Sequence, residues 1–479
     1  MKKYIYSILA VSSLLLVSCN EDALDKKPQS EISGDQIADI INSDPEQALR
    51  ILESLESGNQ RYLIQYQDTD FTGYISTKLG LDLMSNDMAQ ANWHWMGHFY
   101  NYLSRNANSN QTYYFWRFYY KSIYNMNEII KYIPDASANE KLAHLKGRTQ
   151  AMRAAMYLDL IRLYANGEEG IPYYSETLYD TSRVPTSTVY QKIEADLIEA
   201  YNNLATYNRP STSKDLINKN IAAGLLARLY LTLGKYDDAV TYAKLAREGY
   251  TPMSTAQLLG GFNDVNNPEW MWGSKIDGST NSGWASFFSH MDNTNSYGYA
   301  GGLGAGKTVD KRLYDNISST DNRLKWFSST TNYNYLPAYS GVKFRGTTSN
   351  FLGDVVYMRA AEMYLIEAEA YALNGNEAKA KQALYDLISF RDPNYALSTN
   401  SGQNLLNEIR IHKRIELWGE GSAFFDMKRA NLPLERDYVG TNHPTWGRLN
   451  YPANSSKLKF QIPQSEINTN STIINQNPN

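Results

Sequence analysis

Apolar residues recur at intervals of three and four along much of the chain, and this spacing predicts amphipathic helices. Between residues 148 and 165, Met152, Met156 and Leu160 fall on one such face. Asn166, which follows this stretch, is typical of a helix end. We therefore expect one long helix here, and a chain that is mainly helical.

A further helix is predicted directly after Pro185. Val189 and Ile193 begin its apolar stripe. Proline suits the entrance of a helix, and Thr186 or Ser187 is expected to cap it through a side-chain oxygen.

Residues 221–246 predict a helical hairpin. The first helix runs to Leu233, Gly234 allows a sharp turn, and the second helix begins at Tyr236. Small residues lie on one stripe of the second helix and let two helices approach closely: Ala239, Ala243 and Ala246. This spacing matches the second half of a tetratricopeptide repeat, whose helix pairs stack because one pair alone cannot bury its apolar face.

A weaker copy of the hairpin lies at residues 362–384. Gly375 and Ala380 keep the spacing, whereas Glu377 replaces the tyrosine and Ala383 comes one residue early. Two degenerate copies favour a repeat architecture, with unrelated helical hairpins as the alternative. The expected fold class is all-α, with tetratricopeptide-like helix pairs forming a superhelical scaffold.

Between the two hairpins the periodicity stops. Residues 251–350 are rich in Gly, Ser, Thr and Asn and contain Trp270, Trp272, Trp284 and Trp326. A stretch of this length is too long for an ordinary loop, and its aromatic residues argue against disorder. We expect a large, irregular, loop-rich insertion with a function.

An aromatic stretch at residues 82–100 supplies the leading candidate site. Trp93 and Trp95 would project to the same side of an extended segment and present two indole faces to one groove. Sugar rings lie on such faces through their apolar C–H groups, while residues such as Asp87 take the hydroxyls. Core packing is the alternative for both tryptophans, because tryptophan is mostly buried.

The N-terminus has the layout of an export signal. Lys2 and Lys3 precede a short apolar run, and the chain's single cysteine, Cys19, follows a small residue. The order Leu-Val-Ser-Cys resembles a bacterial lipobox, in which the cysteine is acylated. We therefore expect a signal peptide at 1–18, a lipidated polar tether at 19–34, and a single domain at 35–479. Acyl chains hold a protein at a membrane with about 0.8 kcal/mol for each buried methylene.

Composition narrows the choice of partners. The net charge is −4, which makes the whole chain a poor electrostatic match for nucleic acid. The chain has 38 tyrosines and 9 tryptophans, residues that pair a flat apolar face with a polar tip. They suit contacts with amphipathic ligands or partner proteins, although most of the tyrosines are expected to fill helix interfaces.

One motif is misleading. Residues 301–308, GGLGAGKT, satisfy the pattern of a phosphate-binding loop, including Lys307 and Thr308. The chemistry needs a buried apolar strand before the loop and a helix after it, but the upstream sequence is polar. Nucleotide binding is therefore not expected.

Metal and catalytic signatures are weak. His94 and His98 are four residues apart, yet nothing signals a third ligand. No nucleophile elbow or triad signature is found, and solvated carboxylates explain the acidic residues. We expect no cofactor, no metal and no catalytic residue.

Several segments together resemble the SusD/RagB family of surface lipoproteins of Bacteroidota. They begin with Cys19 followed by acidic residues and continue at 153–174, 182–197, 222–239, 355–373, 409–429, 460–468 and 474–478. The segment at 409–429, IRIHKRIELWGEGSAFFDMKR, belongs to the most specific part. His412 and Ala423 depart from the family pattern, which usually has an acidic residue and an arginine there.

The resemblance implies four tetratricopeptide-like helix pairs, with the insertion and the early aromatic stretch forming the ligand face. It also implies a lipid-anchored protein, exposed on the cell outer membrane, that passes glycan to a SusC-like TonB-dependent transporter. Trp93 and Trp95 fall where members place tryptophans. Further ligand-binding candidates come from the insertion: Trp284, Tyr297, Tyr299 and Trp326.

The function expected from the sequence is non-catalytic capture of oligosaccharide or polysaccharide. Peptide capture by the same scaffold is the nearer alternative, and a surface glycoside hydrolase with a carboxylate pair is the more distant one.

Overall fold

The computed structural model describes residues 34–68, 71–133, 139–473 and 475–479. It divides into two compact units, the first ending at Leu52 and the second running from Glu53 to Asn479. The expected signal peptide, the lipidated Cys19 and the tether up to residue 33 lie outside the described residues, so these calls stay predictions.

Helices dominate, as expected. The α-helices are Gly34–Ser43 (α1), Pro45–Gln65 (α2), Gly73–Leu83 (α3), Gly97–Tyr100 (α4), Asn110–Ile130 (α5), Glu140–Tyr164 (α6), Thr186–Asn203 (α7), Lys219–Leu233 (α8), Tyr236–Arg247 (α9), Thr255–Leu258 (α10), Phe287–Met291 (α11), Lys311–Tyr314 (α12), Ala360–Leu373 (α13), Glu377–Ile388 (α14), Gly402–Glu416 (α15), Ala423–Arg429 (α16) and Gln464–Thr469 (α17). Short 3-10 helices are Leu103–Arg105, Gly283–Ala285, Asn322–Trp326, Thr445–Gly447 and Ser456–Leu458, and Gly298–Gly302 is a π-helical turn.

The strands are short and pair in twos. They are Gln67–Asp68 (β1), Phe71–Thr72 (β2), Met88–Gln90 (β3), Ile171–Tyr174 (β4), Tyr179–Val184 (β5), Trp270–Ser274 (β6), Lys307–Val309 (β7), Val355–Arg359 (β8), Leu434–Glu435 (β9) and Asn450–Tyr451 (β10). Strand β1 pairs with β2, β3 with β7, β4 with β5, β6 with β8 and β9 with β10, each antiparallel.

The long helices pack mainly as hairpins of chain neighbours. Helix α5 packs on α6, α6 on α7, α8 on α9 and α13 on α14, and α9 packs on α13 to join two hairpins. Gly234 and Gly375 end the first helix of their hairpins with φ of 72° and 75°, a left-handed conformation that glycine adopts without strain. Ala239 and Ala243 are fully buried on α9, so they do allow close packing. Both predicted hairpins are confirmed.

The predicted cap of α7 is wrong in detail. Pro185 occupies the N-cap position, and no side chain caps the helix there. The Thr186 hydroxyl instead donates to the Gly167 carbonyl at 2.7 Å, and the Ser187 hydroxyl donates to Glu168 at 2.9 Å. The first two backbone N–H groups of the helix are satisfied by Glu168, whose carbonyl accepts from Thr186 at 3.2 Å and whose carboxylate accepts from Ser187 at 3.4 Å.

A buried ion network fixes the insertion to the C-terminal helices. It contains four cations and four carboxylates, which balance: Arg323, Lys343, Arg359 and Arg391 with Glu269, Asp321, Glu416 and Glu420. Glu416 lies at its centre, and its carboxylate accepts from Arg359 at 2.6 Å and from Arg391 at 2.9 Å. These arginines hold the pKa of Glu416 well below its usual range despite burial. Charges this deeply buried are tolerated only when they are paired in this way.

Across the described ranges, every helix falls short of the length and hydrophobicity that crossing a membrane requires.

Candidate ligand-binding site

A small antiparallel pair of strands brings the early aromatic stretch onto the insertion. In the β3–β7 pair, Ala89 lies opposite Thr308 and Gln90 opposite Lys307. The contact continues past the strands, because the Asn92 side-chain amide donates to the Gly304 carbonyl at 2.9 Å. Segments more than 200 residues apart in the chain therefore form one surface.

The turn after β3 orients the two predicted tryptophans. The Gln90 side-chain amide donates to the carbonyls of Asn92 at 3.0 Å and Trp95 at 3.4 Å, which holds the turn closed. Met96 has a φ of 69°, a costly conformation for a residue with a side chain. A Cβ on Gly97 would lie 3.3 Å from the Trp93 ring, so glycine allows that ring to sit close to the backbone.

Trp93 lies at the edge of the cluster and is supported from two sides. Its ring centroid is 5.0 Å from that of His98 and 5.2 Å from that of Trp446, both in edge-on geometry. Trp446 rests in turn on Tyr100 at 4.8 Å. Such pairs contribute roughly 0.5–1.5 kcal/mol each beyond the area they bury, so the exposed indole is held in a defined orientation.

Tyr299 joins the rest of the cluster. Its ring stacks on Trp95 at 4.9 Å and on His290 at 4.7 Å, and it also contacts His94 at 4.7 Å. Trp284 meets the same tyrosine edge-on at 5.6 Å. Tyr299 itself is 8% exposed, so it supports its neighbours more than it offers its own face.

The cluster opens to solvent. Trp93 and Trp284 are each 47% exposed, and Tyr297 is 61% exposed. Trp93, His94, Trp95 and His98 line one hollow of about 490 Å³, counted with its open solvent. The structure thus brings together five of the predicted site residues, with Trp93 and Trp95 on the same hollow.

Two predicted site residues lie elsewhere. Trp326 is buried, and its indole N–H donates to the Leu258 carbonyl at 2.9 Å. Asp87 is also buried, and its carboxylate accepts from the Arg414 Nε at 2.9 Å. Both side chains are fully occupied in the core, and for this reason we leave them out of the candidate site.

Trp446 and His290 take part in the cluster but were not predicted. Trp446 follows Trp93 by 353 positions and His290 lies in a five-residue helix, so no spacing in the sequence connects either to the tryptophan pair. The sequence feature that could have pointed to Trp446 was its residue type, a tryptophan in a turn-rich stretch near the C-terminus.

Basic groups lie beneath the aromatic layer. His290 is buried, and neither of its ring nitrogens has a hydrogen-bond partner among the described residues. Burial, with smaller contributions from Lys307 and His94, holds the pKa of His290 well below its ordinary value. Burial also lowers the pKa of Lys307 to about 7. The Lys307 ammonium donates to the Ala305 carbonyl at 2.7 Å.

The same lysine belongs to the GGLGAGKT pattern, and its surroundings differ from those of a phosphate-binding loop. Lys307 and Thr308 lie in strand β7, where Thr308 pairs with Ala89. A phosphate-binding loop needs the N-terminus of a helix at this point, whereas here the chain continues as a strand.

The fold and the aromatic hollow define a helical-repeat protein with a candidate surface site where the early aromatic stretch meets the irregular insertion. Residues 174–479 match the family model described as SusD family, and residues 24–231 match the model described as starch-binding associating with outer membrane. The chain belongs to the SusD family. Comparison with curated proteins gives no match.

Solved structures agree with this assignment. A SusD-like carbohydrate binding protein from Bacteroides vulgatus is 25% identical with a TM-score of 0.77, over 89% of this chain and 97% of that one. A SusD superfamily protein from Bacteroides thetaiotaomicron is 22% identical with a TM-score of 0.73, over 90% and 100%. A laminarin binding SusD-like protein is 20% identical with a TM-score of 0.69, over 90% and 99%. The predicted tetratricopeptide-like fold is thereby confirmed.

Proposed function

We propose that this chain is a cell-surface glycan-binding lipoprotein. It captures oligosaccharide or polysaccharide at the aromatic hollow and delivers it to a SusC-like TonB-dependent transporter in the outer membrane. Acylation of Cys19 anchors it to that membrane. The observation that carries the proposal is the pair of indoles on one hollow, Trp93 exposed and Trp95 half-buried, in a family that includes a carbohydrate binding protein.

The geometry of the hollow suits sugar rings. Trp93 and Trp284 offer exposed indoles, and Trp95 is held in a stack on Tyr299. Pyranose rings bind such surfaces through their C–H faces, and a small number of polar groups fixes their orientation. Asn92 and His98, beside the indoles, are available for that role.

An open hollow with few contacts implies weak binding. We expect affinities from micromolar to millimolar, which correspond to about −8 to −4 kcal/mol. Most differences in affinity among related complexes lie in the dissociation rate, so such a ligand leaves quickly. Rapid release suits a protein that hands its cargo to a transporter.

The carboxylates of the segments around the hollow favour binding over hydrolysis. These segments, residues 87–101, 283–310 and 443–450, contain three carboxylates, Asp87, Asp292 and Asp310. All three are buried and already accept hydrogen bonds from the protein. Glycoside hydrolysis needs two carboxyl groups facing the scissile bond.

Native gel electrophoresis through polysaccharides tests the proposal. The double variant Trp93→Ala with Trp95→Ala should lose at least tenfold in affinity for any glycan that retards the wild type. Tyr179→Ala is the matched control, because it removes an exposed aromatic ring on β5, outside the segments of the hollow.

Four results decide between the functions. Retardation by a glycan, lost in the double variant and kept in the control, supports the proposal. Equal retardation of a folded double variant removes the hollow as the site. Shortened glycan after incubation identifies an enzyme. Binding of peptides in place of every glycan identifies peptide capture.

A further inference from the structure

The three segments that build the hollow carry an unbalanced set of charges. We call residues 87–101, 283–310 and 443–450 the site segments. They contain four of the six histidines of the chain, together with one lysine and one arginine: His94, His98, His290, His443, Lys307 and Arg448.

The carboxylates of the site segments do not neutralise these bases, with one exception. Asp87 pairs with Arg414, outside the segments. Asp292 accepts from the Gly346 and Thr294 backbone amides at 2.9 Å each. The exception is Asp310, which accepts from His443.

Five bases therefore remain without a carboxylate partner in the described structure: His94, His98, His290, Lys307 and Arg448. Their positions differ. His94 and His98 line the hollow, His290 and Lys307 lie buried beneath it, and Arg448 is exposed two residues after Trp446.

Lys307 differs from the buried Lys78 and Lys343, and shares with Lys428 of α16 a pKa lowered to about 7 and a backbone carbonyl as its acceptor. Lys78 pairs with Asp159 at 2.8 Å, and Lys343 pairs with Glu420 at 2.6 Å. Lys307 has the Ala305 carbonyl as its acceptor in the described residues, and its neighbour His290, whose pKa burial holds well below its ordinary value, offers no counter-charge. A buried cation without a counter-charge is costly, so a fold that keeps one gains from an anion supplied by something else.

We infer that the ligand of the hollow is an acidic glycan, whose carboxylate or sulfate groups lie against these bases while its rings lie on the indoles. This inference rests on the proposed function and narrows the class of ligand. His94 and His98 line the hollow, and Arg448 follows Trp446, whose ring contacts Trp93, so these side chains can meet the charged groups. A nearby anion favours the protonated form of the buried Lys307, whose field is little screened by solvent. A neutral glycan could accept hydrogen bonds from these bases but would gain no charge pairing.

Matched polysaccharides that share one ring type and differ in charge test the inference. Galactan, galacturonan and sulfated galactan form one such set, and glucan, glucuronan and sulfated glucan form another. Each is used in native gels and in calorimetry at 50 mM and 500 mM salt. We expect at least tenfold tighter binding of an acidic member than of its neutral partner, and a loss of most of that preference at 500 mM salt.

The neutral, uronate and sulfated members of each set distinguish a carboxylate ligand from a sulfate ligand. They also test the preference for charge separately from glycan binding itself. Preference for the uronate supports a carboxylate ligand, and preference for the sulfated polymer supports a sulfate ligand. Binding of neutral members with equal or greater affinity overturns the inference and leaves the proposed function intact. Retention of no member, at either salt concentration, counts against both.

Variants locate the charge effect. Arg448→Gln should reduce the preference for the acidic polymer by about threefold and leave binding of any neutral polymer unchanged. His98→Gln should reduce the same preference by about threefold, beyond any loss that it causes in the binding of the neutral polymer. Lys307→Met should reduce the preference at least as much. His144→Gln is the control, because His144 lies on α6, outside the site segments. An unchanged preference in His98→Gln, Arg448→Gln and Lys307→Met together would overturn the inference.

Discussion

Replacing Lys307 by methionine should stabilise the protein, although it removes a fully buried hydrogen-bonding group. Lys307 lies in β7 and donates to the Ala305 carbonyl at 2.7 Å. Burial lowers its pKa from 10.5 to about 7, because the charged ammonium loses its hydration. Methionine has a similar length and needs no hydration, so the variant removes the cost of burying the charge.

The magnitude follows from the difference between the two pKa values. A drop from 10.5 to about 7 is roughly 3.5 units, and each unit corresponds to about 1.36 kcal/mol. The unfolded chain binds the proton more tightly than the folded chain, so the cost is fully present below pH 7 and disappears as pH rises from 7 to 10.5. The lost hydrogen bond offsets about 1 kcal/mol. We expect Lys307→Met to gain about 2–4 kcal/mol at pH 6.

Thermal unfolding followed by calorimetry or circular dichroism measures the effect. The Tm of Lys307→Met should exceed that of the wild type by several degrees at pH 6, and the gap should shrink at pH 9.5. Lys343→Met is the matched control. Burial lowers the pKa of Lys343 to about 8, but its ammonium donates to Glu420 at 2.6 Å and to the Glu416 and Trp418 carbonyls at 2.9 Å. Removing it breaks these three hydrogen bonds and takes one cation from Glu420, so the same substitution should lower the Tm. If Lys307→Met lowers the Tm as Lys343→Met does, Lys307 has a counter-charge in solution and the reasoning is wrong.

Three further predictions concern the ion network and the support of Trp93. Glu416→Gln should destabilise the protein by about 3–5 kcal/mol, measured by denaturant unfolding, because it leaves buried arginines without a counter-charge. Burial and Arg323 lower the pKa of His412 from 6.5 to about 4 in the folded protein. The unfolded chain therefore binds the proton more tightly, and the free energy of unfolding decreases as pH falls from 6.5 towards 4. This acid loss, up to about 3 kcal/mol in thermal melts, should be smaller in His412→Gln. Trp446→Ala should weaken glycan retention in native gels several-fold with little change in Tm, because it frees the Trp93 ring.

The helical scaffold was predictable because its signals are local. Apolar periodicity identifies each helix, and Gly234 and Gly375 mark the turns that only a left-handed residue completes easily. The departure at His412, by contrast, depends on a contact between segments that are distant in the sequence. In place of an acidic residue, its ring nitrogen lies 2.9 Å from Arg323 and can accept a hydrogen bond when the ring is neutral.

The candidate site was predictable only in part. Trp93 and Trp95 were found because they are neighbours in the sequence and lie in an aromatic stretch. Trp446 joins them through contacts between distant segments, which no periodicity reports. Trp326 was chosen from the insertion by residue type, yet it is buried. Without periodicity, the sequence of an irregular segment does not indicate which side chains face inward.

The buried charges of the ion network and those near the hollow are paired differently, although the buried Arg436, outside the site segments, also donates to backbone carbonyls and not to a carboxylate. In the ion network every cation has a carboxylate, and Glu416 alone serves three arginines. Under the hollow, Lys307 and His290 have none in the described structure. Selection for stability alone would replace an unpaired buried lysine, since most apolar residues cost less there. Groups that lower stability persist where binding uses them. His290 stacks on Trp95 and Tyr299 of the aromatic cluster, and an acidic ligand on the hollow would give Lys307 the negative charge that it lacks in the described structure.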